Sequence, residues 1–335
     1  MVGVTTLLTS LAFNDYCFCI VPFLYTFPTM VLSIFEIAVI VRANMRKGSY
    51  SLKSSFYIIF AIDTVWRIIM PITFFLCMRM PQVPMFYDYL YSLGEVYNFW
   101  TQFVPVLTYY CMFACEWMNL LLTFNRFTVF WLKHKYTVFW RRNLKWLLLV
   151  FLSIPLAPSL PLFTEIFTLF HYDFGQLTWD HKIKPKWSNS NSAMLMFGLT
   201  AVPALVMNIW LCLKLIKSRR EGNLTSTSGK TDFRLWVLTA LMFVLTFITT
   251  FIQLTFNIPG LGDYMFAHFT QVMYIQFALF DITVLSPSWI ILWTSSTFRA
   301  ELRATITFRK VHHNIGDQTS GVHSQVRTSF VRVNG

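Results

Sequence analysis

Seven apolar stretches run through this chain, at about 20–42, 54–78, 99–124, 144–170, 192–216, 234–257 and 267–293. Each is near the length of roughly 20 residues that an α-helix needs to cross about 30 Å of hydrocarbon. Inside lipid the backbone has no water to bond, so each stretch must satisfy its own hydrogen bonds as a helix. The pattern predicts an all-α membrane protein, a seven-transmembrane helix bundle. Composition agrees: 56% of the 335 residues are hydrophobic and only 13% are charged. Water penalises so much apolar surface in a soluble domain. The 35 Phe, 14 Tyr and 12 Trp suit lipid contact and interface anchoring.

The net charge of +12 comes from 27 Lys and Arg against 15 Asp and Glu. Their placement is one-sided. The loops after the first, third and fifth spans, with the tail, hold 22 of the basic residues. The even loops hold 4, namely Arg79, Lys182, Lys184 and Lys186, and Arg67 alone falls within a span. Basic residues collect on the cytosolic side, which predicts the N-terminus outside and the C-terminus in the cytosol. The charge therefore sets topology and faces anionic membrane lipid or an acidic partner, and no nucleic acid is needed to explain it.

Three regions follow: a short extracellular segment at 1–19, a transmembrane domain at 20–298, and a basic cytoplasmic tail at 299–335. Residues 1–13 lack the basic start of a signal peptide. Phe298, Leu302 and Ile306 with nearby basic residues suit a surface helix over 296–310. The one sequon, Asn223-Leu224-Thr225, falls on the cytosolic side and is expected to stay unglycosylated. The six cysteines have no zinc-ligand spacing and sit mostly in apolar runs. No metal, cofactor or enzymatic activity is indicated.

Ionisable groups within spans are costly and mark function by default. Here they are Glu36, Asp63, Arg67, Glu116 and Asp281, with Glu165 near the outer boundary. Asp63 and Arg67 stand four apart on one helical face and can pair, with Asp281 as a plausible third member. A static pair that fixes packing and a switch that rearranges are both consistent with the spacing. On the third span Tyr109, Met112, Glu116, Asn119, Thr123 and Arg126 step by three or four residues, so they share one face. Glu116 and Asn119 turn that face into the bundle, where interhelical hydrogen bonding alone would also account for them. Pro155, Pro203 and Pro287 interrupt the fourth, fifth and seventh spans, as fixed bends or as pivots.

Several of these positions resemble G-protein-coupled receptors. Asn125-Arg126-Phe127 closes the third span like the Asp-Arg-Tyr signature, and Ala61-Ile62-Asp63 resembles the second-span aspartate site. Trp146 with Pro155, Pro203, and Ser286-Pro287 as a variant of the Asn-Pro signature add to it. The sixth span lacks the usual Trp and Pro, and the fourth loop lacks a cysteine for the usual disulfide. Over about residues 20–305 the chain more closely resembles the nematode serpentine receptor class gamma superfamily, class V above the others. The residues that carry this are Ser55-Phe56-Tyr57, Leu121-Leu122-Thr123-Phe124-Asn125-Arg126, Pro287-Ser288-Trp289 and Ser295-Ser296-Thr297-Phe298-Arg299.

The resemblance implies a plasma-membrane chemoreceptor of sensory neurons, with a sensory cilium as one location, a small-molecule ligand outside and a heterotrimeric G protein inside. Phe103, Tyr109, Met112, His268, Gln271 and Tyr274 are then candidates for the ligand pocket. Asn125, Arg126, Asp63, Arg67, Glu116, Asn119, Asp281 and Pro287 are candidates for the signalling switch. The alternative class is a seven-helix small-solute transporter, which should show its first three spans repeated in its last three. No such repeat is visible. A retinal protein needs a lysine in the seventh span, which has none. Gly260-Leu261-Gly262-Asp263 matches an intramembrane aspartyl protease motif, but it lies in a predicted external turn without a second buried aspartate.

Overall fold

The computed structural model describes residues 2–45, 54–92, 99–164, 167–171, 177–181, 189–220, 227–255, 258, 260–261 and 269–306. Helix α1 spans Val2–Met45, continuous with the first 19 residues, and includes Pro22 and Pro28. Helix α2 spans Ser55–Phe74. A widened π-type turn at Phe75–Arg79 carries it further, so the apolar segment reaches Arg79. Tight turns then lead to the short α3, Tyr87–Ser92.

Helix α4, Val104–Leu132, starts with Pro105 in its first turn, where no helical N–H is missed. It is the most enclosed helix, packing against α2 and four later helices. It does not stop at Arg126, where the basic residues suggest a boundary, but runs six residues further. Residues 127–132, Phe-Thr-Val-Phe-Trp-Leu, are nearly all apolar and Arg126 is buried, so that one charge does not mark where the helix ends.

The chain reverses at Lys133, whose φ of 45° is the one positive value outside glycine among the described residues. A tight turn at Lys133–Lys135 feeds α5, Tyr136–Ser153. Trp140 Nε1 donates to Thr128 Oγ1 at 2.8 Å near the turn. At the far end Tyr110 OH donates to the Leu152 carbonyl at 3.2 Å, and the Trp117 and Phe151 rings lie 5.5 Å apart. Late α4 thus meets early α5 and early α4 meets late α5, so the two helices are antiparallel.

Pro155, Pro158 and Pro161 then break the helix into α6, Leu156–Ser159, and a final turn at Leu160–Thr164. The expected fourth span reached residue 170, and this is corrected. Phe167–His171 forms strand β1, paired antiparallel with β2, Leu177–His181, in the register Phe167 to His181 and Leu169 to Trp179. Hydropathy alone carried the helix past the prolines.

Helix α7, Asn189–Arg220, contains Pro203, and α8 spans Thr227–Thr255. Helix α9, Phe269–Thr294, contains Pro287, and α10, Ser296–Ile306, follows it. Six segments of the described residues are long and apolar enough to cross a membrane. One of them, Val104–Thr164, has 61 residues, and a single helix of that length would be about 90 Å long. It contains the α4–α5 hairpin.

Exposed apolar side chains such as Trp146, Leu149, Val206, Leu213 and Trp293 cover the outside of the bundle. Inside, Phe56, Phe60, Met118, Leu121, Leu122, Trp140, Leu238 and Phe298 pack into the largest core cluster. Phe298 and Leu302 seat α10 against the bundle, packed in its core where the spacing had suggested a helix lying on the membrane surface.

Candidate functional site

Polar residues on α1, α2, α4 and α9 meet in the middle of this apolar bundle. Arg67 is the hub. Its Nε donates to Asp63 Oδ2 at 2.7 Å, and both side chains are buried. Its Nη2 donates to Asn119 Oδ1 at 2.5 Å. Its Nη1 donates to the Thr283 carbonyl at 2.9 Å. That carbonyl is four residues before Pro287, which has no N–H to give it. The proline thus frees the acceptor that Arg67 takes, and α2, α4 and α9 are tied through one guanidinium. The Asp63–Arg67 pair that the spacing allows is present; its third member is Asn119, read from sequence only as part of the α4 face, and Pro287 joins through the backbone.

Asp281 does not join it. Arg79 Nη2 donates to Asp281 Oδ2 at 2.5 Å, and Tyr25 OH donates to the same oxygen. The Arg79 guanidinium also lies 5.6 Å from the Phe74 ring and 5.9 Å from the Phe277 ring. Arg79, read from sequence as a loop residue, is buried because the widened turn after Phe74 carries it back onto α9. A second ionic tie therefore joins α1, α2 and α9.

Along α1, Tyr25, Thr29, Ser33 and Glu36 step by three or four residues and face α9. Trp289 Nε1 donates to Thr29 Oγ1 at 2.9 Å, and the Ser33 and Ser288 hydroxyls are 2.9 Å apart. Glu36 is fully buried, and its carboxylate faces the Ser288 hydroxyl without a well-formed hydrogen bond among the described residues. That periodic polar stripe was available in the sequence, which singled out Glu36 alone.

Glu116 and Asn119 border a cavity between α4, α7 and α8, with Thr123, Thr200, Thr239 and Thr246. Its free volume, about 10 Å³ for the centre of a water molecule, is that of one water. Glu116 Oε2, Asn119 Nδ2 and Thr246 Oγ1 are buried there, with the Glu116 carboxylate near both other side chains, and none makes a well-formed hydrogen bond among the described residues. Asn119 thus touches the cavity with one side-chain atom and Arg67 with the other. Sequence reasoning missed Thr200 and Thr246, since threonine in a helix commonly bonds its own backbone.

At the other end of α4, Arg126 is buried with its guanidinium carbon 4.0 Å from the centre of the Phe56 ring. Its neighbour Asn125 donates to Ser55 Oγ at 2.8 Å and accepts from Tyr136 OH at 3.2 Å. The Ser55 and Tyr136 hydroxyls are themselves 2.8 Å apart, so this triangle joins α2, α4 and α5. Tyr57 OH and Ser295 Oγ, 3.2 Å apart, link α2 to the junction of α9 and α10.

The expected pocket residues are dispersed. Tyr109 and Met112 pack on the aromatic cluster of Phe113 and Phe197 between α4 and α7. Phe103 is 42% exposed at the turn before α4. Tyr274 is half-buried on α9. His268 lies outside the described residues, and of Gln271 only the backbone, within α9, is described.

Asn119→Ala is expected to remove an acceptor from a buried guanidinium and destabilise the purified protein by roughly 1.5–3 kcal/mol. Thermal unfolding in detergent checks this, with Asn119→Asp as the variant that keeps the acceptor.

A helical membrane bundle with buried ionic ties and a polar cavity between helices is the framework of a multi-pass receptor or carrier. Comparison of sequences separates these classes. Residues 19–302 match the profile of the Srg family chemoreceptors. The match spans well over half of the chain, and the chain belongs to that family. Among curated proteins none matches it.

Proposed function

We propose that the chain crosses the membrane seven times, with its N-terminus outside, and works as a G-protein-coupled chemosensory receptor for a small organic ligand. The crossings are α1, α2, α4, α5, α7, α8 and α9, the α4–α5 hairpin supplying two of them. The placement of 22 basic residues on one side supports the orientation. In this reading residues 1–19 lie outside, 20–298 form the receptor domain and 299–335 the cytosolic tail. The plasma membrane, and a sensory cilium within it, is the expected location. Class V is the preferred placement, from the sequence resemblances.

The observation that carries the mechanism is the shared position of Asn119. It borders the cavity beside Glu116 and also holds Arg67, which grips α2 and α9. A ligand entering from outside past Tyr109 and Met112 and reaching Glu116 with a polar group changes what Asn119 faces. Arg67 then redistributes among its acceptors, and α4 and α9 shift relative to each other. A ligand moves such an equilibrium only by its difference in affinity for the two arrangements. The buried Arg126 is the residue whose release from Phe56 would offer a cation to a heterotrimeric G protein.

The test is nucleotide exchange by purified G protein on cells or discs carrying the chain, screened against a chemical library. Arg126→Ala at matched surface expression is expected to lower ligand-stimulated exchange about tenfold, the loss of one charged contact of roughly 1.4 kcal/mol. Unchanged signalling removes Arg126 from the mechanism. Ligand flux into proteoliposomes without exchange would favour the transporter alternative.

A further inference from the structure

The hairpin between α4 and α5 carries cations that no carboxylate of the described residues neutralises. Lys133, Lys135, Arg141, Arg142 and Lys145 are all exposed, as is His134. Residues 117–164 contain no Asp or Glu, and no carboxylate of the described residues pairs with any of these five. On α5 the cations fall on one face: Val138, Arg142, Lys145 and Leu149 step by three or four residues, with Arg141 beside them and Lys135 just before the helix.

The face changes character within one residue. Below it are Arg141, Arg142 and Lys145, and beyond it are Trp146, Leu149 and Val150, each at least half exposed. Exposed apolar residues of that kind belong in hydrocarbon, so the cations sit at headgroup level. Trp146 marks the boundary, with Lys145 Nζ 5.3 Å from its ring. Trp131, 62% exposed at the end of α4, lies at the same end of the hairpin. The main packing partners of α5 are α4 and α2, with its Trp140 side turned inward. The cationic face therefore points away from the bundle and into the bilayer surface.

We propose that this stripe binds a phospholipid whose headgroup carries several phosphates. Three cations lie within residues 141–145, and two of them are arginines, whose planar fork matches phosphate oxygens. A headgroup with one phosphate leaves most of that charge unmatched. The proposal rests on the membrane-crossing reading but needs neither ligand nor signalling.

The experiment reconstitutes the full chain in phosphatidylcholine vesicles containing either phosphatidylserine or phosphatidylinositol bisphosphate at matched surface charge. The protein is then purified in mild detergent and its retained lipids are counted by mass spectrometry. The bisphosphate lipid is expected to be enriched several-fold over the serine lipid. R141Q/R142Q/K145Q should lose that enrichment, single variants R142Q and K145Q should lose part of it, and K214Q/R234Q should keep it. R141K/R142K, which retains the charge, should keep most of it. Equal retention of both anionic lipids, no retention, or equal loss in K214Q/R234Q would overturn the proposal. So would a triple variant that keeps the lipid but no longer binds purified G protein, since the stripe would then be a protein-docking surface. Absent nucleotide exchange leaves the lipid result standing, so the two readings fail separately.

Discussion

Arg67→Met is expected to lower the stability of the purified protein by about 3–5 kcal/mol and to abolish most of its surface expression. Breaking a buried pair from one side leaves the other charge uncompensated, and the penalty is that charge's desolvation. Here the stranded group is Asp63, fully buried, whose Oδ1 already lacks a partner. Asn119 and the Thr283 carbonyl also lose their donor. The double variant Asp63→Asn/Arg67→Met removes the stranded charge and should recover much of the loss. Thermal unfolding of the four proteins forms a double-mutant cycle. A double variant as unstable as Arg67→Met would show that Arg67 acts through α4 and α9 and not through Asp63.

The second large effect is expected at Asp281. Asp281→Ala takes its carboxylate from Arg79, which lies between Phe74 and Phe277, and the acceptor from Tyr25, and is expected to cost about 3–5 kcal/mol. Tyr25→Phe removes only a neutral donor and should cost about 1 kcal/mol. Exchanging the charges, Arg79→Asp with Asp281→Arg, should restore part of what either change alone loses. Surface expression and melting temperature read both. If Asp281→Ala proves harmless while Arg67→Met does not, the two ionic ties differ in role, and only the inner one holds the bundle.

Residue spacing made most of the helices and the Asp63–Arg67 pair readable in advance. Asp63 and Arg67 pair because four residues make one turn, and the Glu116, Asn119 and Arg126 face points inward because lipid excludes it. The partner of Asp281 was not readable, because it depends on how far α2 continues beyond Phe74. A widened turn has no signature in periodicity, so Arg79 looked like a loop residue. The acceptor freed by Pro287 follows from proline chemistry, but which donor takes it depends on how α2 and α9 pack. The β1–β2 pair was legible and passed over: Phe167–His171 and Leu177–His181 follow three prolines, and apolar content masked that break. The cavity at Glu116 needs α7 and α8 in place, and spacing along α4 cannot supply them.

The reading of this chain as a receptor depends on the Val104–Thr164 segment crossing the membrane twice, which makes the number of crossings odd. Epitope tags at the two termini, probed with antibody on intact and then permeabilised cells, test that directly. The N-terminal tag should stain intact cells, and the C-terminal tag should stain only after permeabilisation. Both tags on one side would mean an even number of crossings, and the reverse pattern would invert the bundle; either result would contradict the account.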